Sequence, residues 1–273
     1  SALEANTTGT QNIAVGSLAA DATTTGSYNI AIGHEALSTN TTDSHNTAIG
    51  NNALKTSNGG THNTAVGSAS MNALTTGDYN VGVGSQSFDQ LTTGSQNTGM
   101  GYSALNVNTT GDNNTAMGFG ALDANTTADN NTAVGYAALG ANTTGYGNVS
   151  MGKNALVANT TGYHNTAIGA DSMETNTEGH SNTAVGESAL LATTDGDNNT
   201  AIGMDALKAN TTANSNTAVG SAAMLANTTG TQNVAVGRSA LDANTTASNN
   251  TAVGYEALSA NTTGSSLTAV GKD

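Results

Sequence analysis

From Asn12 to Asn250 an asparagine stands at every seventeenth residue without one insertion, and only Leu267 breaks the column. Numbering that asparagine column 1, column 5 is Gly in all sixteen occurrences, from Gly16 to Gly271, column 3 is nearly always Ala, and column 4 is always Val, Ile or Met. Column 8 is Ala or Ser and column 9 mostly Leu. Column 13 is Thr except at Asn58, and column 15 is mostly Gly, with Asp43, Ala128, Ala213 and Ala247 as exceptions. Columns 6, 7, 10, 16 and 17 vary freely. A period held this strictly means that each repeat is one structural unit stacked on copies of itself.

Seventeen residues cannot hold the helix pairs of α-helical solenoids, and Thr, Asn and Gly are poor helix residues. They suit one coil of a parallel β-solenoid, an all-β fold in which each coil hydrogen-bonds to the next at ~4.8 Å. The pattern predicts a strand over columns 17–4, a Gly bend at column 5, a returning strand over columns 6–9, a third extended piece or ordered loop at "NTT" in columns 12–14, and a second Gly bend at column 15. The column-1 asparagines, among them Asn131, Asn148 and Asn165, are expected to form an amide ladder, and Gly135, Gly152 and Gly169 to make the bends. About sixteen coils then give a rod of roughly 75–80 Å. The array runs over residues 1–273 as one unit with neither end capped, as expected of a segment of a longer fibre.

Alternation along a strand sends column 3 and column 4 to opposite faces, and likewise column 8 and column 9. Each strand thus carries a small face and a larger apolar face. A thin roll that buries its alanines leaves Val134, Leu139, Met151, Leu156 and Ile168 outside, a patch too large for a soluble monomer. A homo-oligomer closing these columns around a common axis, with a trimer expected, covers them. The alternative is a wider roll filled by the larger residues.

Composition removes several functional classes. With no Cys there is no thiol redox chemistry, disulfide framework or thiolate metal site. A net charge of −14 with only five Lys plus Arg gives no basic stripe for nucleic acid. No apolar run is long enough to insert into a membrane. Nothing interrupts the repeat with a cluster of titratable groups, and the five histidines fall only in variable columns, so neither an enzyme nor a cofactor is expected.

Local function is therefore sought in the variable columns. Tyr102, Phe119 and Tyr136 occupy column 6 of three successive repeats, a candidate adhesive stripe for a sugar or a protein. Tyr28, His45, His62 and Tyr79 are consecutive in column 17, where two imidazoles one coil apart either share a metal with symmetry mates or simply stack. Asp112 and Asp129, neighbours in column 16, are either a Ca²⁺ pair or surface charge. Ten "NTT" triplets match the glycosylation sequon.

The columns resemble the head repeats of trimeric autotransporter adhesins, the YadA-like family, whose motif reads approximately Asn-Ser-Val-Ala-Ile-Gly. Asn131 falls on the family's Ser, Thr132 on its Val, Ala133 on its Ala, Val134 on its Ile and Gly135 on its Gly; "NIAIG" at 29–33 and "NVAVG" at 233–237 come closer. The longer form, "NTAVGY-AL--NTTG", also looks like arrays in phage tail fibres and other surface fibres. The resemblance implies a left-handed roll, three chains on one axis, an extracellular, cell-surface or virion-surface setting, and adhesion to a host surface protein or glycan. The chain departs from the family in its longer repeat and in Thr at column 2. The function expected is a non-catalytic fibre shaft, stalk or adhesin head. Two alternatives are a filament assembling end to end, and an ice-binding protein using Thr ladders, although the adjacent hydroxyls of "TT" should point to opposite faces.

Overall fold

The computed structural model describes residues 1–272. It divides into two compact units, Ser1–Val134 and Gly135–Asp273. The first holds eight three-residue strands from β1 (Ile13–Val15) to β8 (Thr132–Val134), and the second eight from β9 (Val149–Met151) to β16 (Thr268–Val270). Within each unit the strands stack in chain order, parallel and offset by one repeat, as in Thr47↔Thr64 and Ala48↔Ala65 or Thr183↔Thr200 and Ala184↔Ala201. Each unit is thus an all-β solenoid built from seventeen-residue coils.

The strand occupies columns 2–4 only, and its alternation is the expected one. Ala48, Ala65, Ala167 and Ala184 of column 3 are fully buried, while column 4 faces outward. At column 5 the chain turns through a backbone conformation closed to side chains, φ being +136° at both Gly50 and Gly169.

The expected returning strand at columns 6–9 is absent. Columns 6–11 form turns, with φ between 47° and 62° at column 7 and column 9, as at Glu35 (53°), Leu37 (53°), Ser188 (56°) and Leu190 (51°). This stretch still bonds coil to coil: the Leu37 N–H donates to the Ala53 carbonyl at 3.0 Å, and the Thr39 N–H to the Lys55 carbonyl at 3.1 Å. Without extended backbone the rule of opposite faces lapses, and column 8 and column 9 both point inward. Leu139 and Leu156, expected on an outer oligomeric face, are fully buried together with Ala138 and Ala155. A left-handed conformation costs a side-chain-bearing residue about 1–2 kcal/mol. Burying a leucine returns about 1.5–3 kcal/mol, so the packing decides the conformation.

The interior is consequently narrow, filled by Ala of column 3, Ala or Ser of column 8 and Leu of column 9. One departure shows how tightly. Phe88 replaces Leu at column 9, and column 3 is Gly at both Gly82 and Gly99; a Cβ on Gly99 would lie 3.0 Å from Phe88 Cζ and 2.9 Å from Ser87 Oγ. Gly99→Ala is therefore expected to cost about 1–3 kcal/mol by overpacking. Adding Phe88→Leu should recover most of that loss, a coupling measured by urea unfolding of both single variants and the double.

The column-1 ladder differs in detail from the expectation. Each side-chain carbonyl mainly accepts the N–H of the next asparagine along the stack, Asn182 N–H to Asn165 Oδ1 being 3.0 Å, and each side-chain NH₂ donates to the column-15 carbonyl, Asn165 Nδ2 to Gly179 O being 2.7 Å. The expected amide-to-amide bonds join part of column 1, as in Asn80 to Asn63 and Asn97 to Asn80, both 3.1 Å, and also run up column 12, the Asn of "NTT", as in Asn159 to Asn142 and Asn176 to Asn159, both 2.8 Å. The third piece of the coil is thus an ordered loop fixed by buried asparagines. Column 15 does not need glycine for its backbone: no residue of that column has a positive φ, and Ala128, Ala213 and Ala247 fit, each at most 5% exposed.

Candidate functional site

With columns 1, 3, 8, 9 and 12 inside, chemistry can be written only on the outward columns. A continuous feature of each unit is the outer side of the strand stack, made by columns 2 and 4. Column 4 is aliphatic or Met throughout and partly open to solvent, with Met100, Met117, Met151, Ile168 and Ile202 between 38% and 43% exposed; Val134 is half-buried. Column 2 is Thr in eleven coils and Ile or Val in the other five.

The threonines of column 2 differ from those of column 13. Column 13 hydroxyls are used by the fold, Thr160 Oγ1 donating to Thr177 O at 3.1 Å and Thr228 Oγ1 to Thr245 O at 3.0 Å. The hydroxyls of Thr183, Thr200 and Thr217 make no hydrogen bond within the described residues and stand at the surface beside Val185, Ile202 and Val219. None of the 19 acidic and five basic residues falls in columns 17 through 5, so the face carries no formal charge in a chain of net charge −14.

Of the aromatic stripe, Tyr102 and Phe119 stack with centroids 5.3 Å apart and planes 18° from parallel, and are 48% and 54% exposed. Tyr136 lies in the second unit and is also exposed. Tyr28, His45, His62 and Tyr79 form one continuous stack at 4.8, 4.8 and 4.9 Å. The ring-nitrogen lone pairs of His45 and His62 lie in nearly parallel planes and so do not converge on one ion within ~2.1 Å of each. No group of three or more metal-ligating side chains occurs among the described residues.

A second aromatic stack, in column 16, is not foreseen by treating that column as free. Tyr146, Tyr163 and His180 pack face to face at 5.1 and 4.7 Å, His164 sets its ring edge-on to both tyrosines, and His180 Nδ1 lies 2.8 Å from Asp197 Oδ1. The even spacing of these rings along the chain is the signal for it. Elsewhere column 16 serves the backbone: Asp129 Oδ1 accepts the Asp112 N–H and Asp112 Oδ1 the Ser95 N–H, both at 2.7 Å. The Asp112 and Asp129 pair is thereby explained as capping of coil N–H groups. The sequons divide just as clearly, since eight of the ten "NTT" asparagines, such as Asn142 and Asn227, have no exposed surface and no room for a glycan in the folded chain.

Burial pushes the carboxyl of Asp123 above its ordinary value of 3.8, against a hydrogen bond from Asn106 that opposes the shift. Burial likewise raises Asp242 and Asp43. An acid whose folded pKa is raised contributes stability below its unfolded value and loses it as pH rises through the folded value. Column 10 already holds Asn at Asn72 and Asn106. Asp123→Asn is accordingly expected to raise the melting temperature at pH 7, with the gain vanishing once the pH falls below about 3.8, as followed by circular dichroism.

Models of known protein families give no match to the chain, and a search of curated proteins gives none either.

Proposed function

We propose that the chain is a non-catalytic segment of an extracellular, cell-surface or virion-surface fibre, a shaft or adhesin head whose working part is the uncharged outer side of its strand stack. The observation that carries this is the division of every coil into a nearly fixed interior and an outward strand bearing Thr, Ile or Val at column 2 and Val, Ile or Met at column 4. Such an interior leaves side-chain identity free only outside, and a repeated apolar face of this extent marks contact with another surface. The resemblance to YadA-like head repeats supports the same class.

A homotrimer is the version in which the face meets copies of itself. Its motive is weaker than the sequence implied, because Leu139 and Leu156 are buried within their own coils and only column 4 asks for cover.

Adsorption to methyl-terminated and hydroxyl-terminated monolayers, followed by surface plasmon resonance, tests the contact face. The wild-type chain should adsorb, and Val185→Lys with Val219→Lys should weaken it by roughly ten-fold, since each ammonium must be desolvated against the surface. Undiminished adsorption by that variant, with the fold intact, would remove the reading. Sedimentation equilibrium identifies the trimer as a species of three times 26.7 kDa.

A further inference from the structure

The outward side of the strand stack is a lattice. In the second unit, Thr183, Thr200 and Thr217 form one row, and Val185, Ile202 and Val219 a second. Successive members of a row are one coil apart, ~4.8 Å, and the rows are two residues apart, roughly 6.6 Å along the strand. In-register pairing at a constant offset keeps the lattice from drifting within the unit. Thr, Val and Ile are stiff at χ1, so the lattice is also rigid before anything binds.

Three observations narrow the occupant. The face has no formal charge although the chain carries −14, which selects a neutral partner. The column-2 hydroxyls have no partner among the described residues, so a dry apolar cover would strand a row of hydroxyls at a cost of about 1–3 kcal/mol each. The aromatic rings that recognise sugars through stacking are absent from columns 2 and 4 in every coil. A partner that is neutral, hydrogen-bonds to hydroxyls, tolerates methyl groups beside them and repeats by translation is crystalline water.

We infer that the Thr–aliphatic face of the strand stack adsorbs to ice. Thr hydroxyls hydrogen-bond to water held over the face, while the Thr, Val and Ile methyls restrict that water to the spaces between rows. The layer then shares its spacing with rows of oxygen atoms on the ice surface. Each row adds little, but successive rows add without a further loss of rotational freedom, as in any multivalent attachment. The threonines concerned are those of column 2, two residues from the aliphatic column on the same face; the "TT" of columns 13 and 14 takes no part. The inference rests on the contact-face reading above and names its partner.

The test uses the full chain in three forms: wild type, Thr200→Lys with Thr217→Lys on the face, and Asp195→Lys in column 14 away from it. Thermal hysteresis and partition into a slowly growing ice hemisphere are measured, with melting curves to show that all three fold. Wild type and Asp195→Lys are expected to enter the ice, and the face variant to be excluded by roughly ten-fold or more, because each buried ammonium adds a desolvation penalty. Exclusion of the folded wild type from ice, or equal uptake of the face variant, overturns the inference. If the wild type is excluded but still adsorbs to monolayers through Val185 and Val219, the contact face stands and ice is not its partner. If it sediments as an oligomer that the face variant dissolves, the face is an interface between copies, and the ice inference falls.

Discussion

Gly169→Ala is expected to unfold the second unit or to lower its stability by at least ~3 kcal/mol, combining a strained φ with a backbone collision. Gly169 sits at φ +136°, and a Cβ there would lie 2.5 Å from the carbonyl oxygen and 2.6 Å from the carbonyl carbon of Gly186 in the next coil. Neither atom can move without spreading coils in which the Gly186 N–H donates to Ile168 O at 2.7 Å. The comparison is Gly120→Ala. Gly120 also has positive φ, +62°, but nothing lies within 4 Å of its Cβ position, and Ala69 occupies the equivalent place at φ 55°. There the left-handed cost and the entropy removed from the unfolded chain nearly cancel, so the change should stay within about 1 kcal/mol. Urea unfolding followed by circular dichroism separates the two. Similar losses at both sites would mean that backbone preference, and not the approach of neighbouring coils, makes column 5 invariant.

Asn165→Ala is expected to cost about 2–4 kcal/mol, because it orphans one buried backbone N–H at about 1–3 kcal/mol, takes one of two donors from a buried carbonyl and removes side-chain contacts as well. The Asn182 N–H loses its acceptor, and the Gly179 carbonyl is left with the Asn176 Nδ2 donor at 3.1 Å alone. Asn165→Asp keeps the acceptor but turns a second oxygen toward the Gly179 carbonyl, and should not rescue. Column 12 gives a built-in contrast. Leu74 and Leu91 already stand there, fully buried, so Asn159→Leu is expected to be milder than Asn165→Leu. Hydrogen exchange at the Asn182 amide reports the loss directly, since that proton should become the least protected of its coil.

These sites also show what could be read from the chain and what could not. The column-5 bend, the strand beside it and the inward Ala with outward Val follow from period-two alternation, which holds wherever backbone is extended. At columns 6–9 alternation does not apply, because that segment is bonded between coils yet not extended. The correcting signal is in the sequence. Column 9 takes Leu, Met, Phe and Ala but never Val, Ile or Thr, and columns 7 and 17 exclude the same three residues. A β-branched side chain is the one least compatible with positive φ, so three columns without one, in a chain where Thr abounds elsewhere, mark three left-handed turns. Leu139 and Leu156 follow from that signal as interior residues.

The candidate site was partly legible for the same reason. Tyr102 and Phe119 could be placed together because one column repeats at one height, and the Tyr146–Tyr163–His180 stack obeys the same rule. The role of the remaining column-16 side chains, capping an N–H of the preceding coil, depends on loop geometry that residue spacing does not encode. The distinction between working and free threonines is likewise geometric: column 13 bends toward the next carbonyl and column 2 does not.

Cysteine accessibility tests the central arrangement most directly, since the chain contains no cysteine of its own. Single cysteines at Thr183, Ala184, Val185 and Leu190 are reacted with a maleimide under native conditions and again in urea. The coil described here predicts ready labelling at 183 and 185 in the dilute native chain, and labelling at 184 and 190 slowed at least ~100-fold because reaction there waits for the coil to open. Native labelling of Leu190→Cys as fast as that of Thr183→Cys would place column 9 outside and contradict the account.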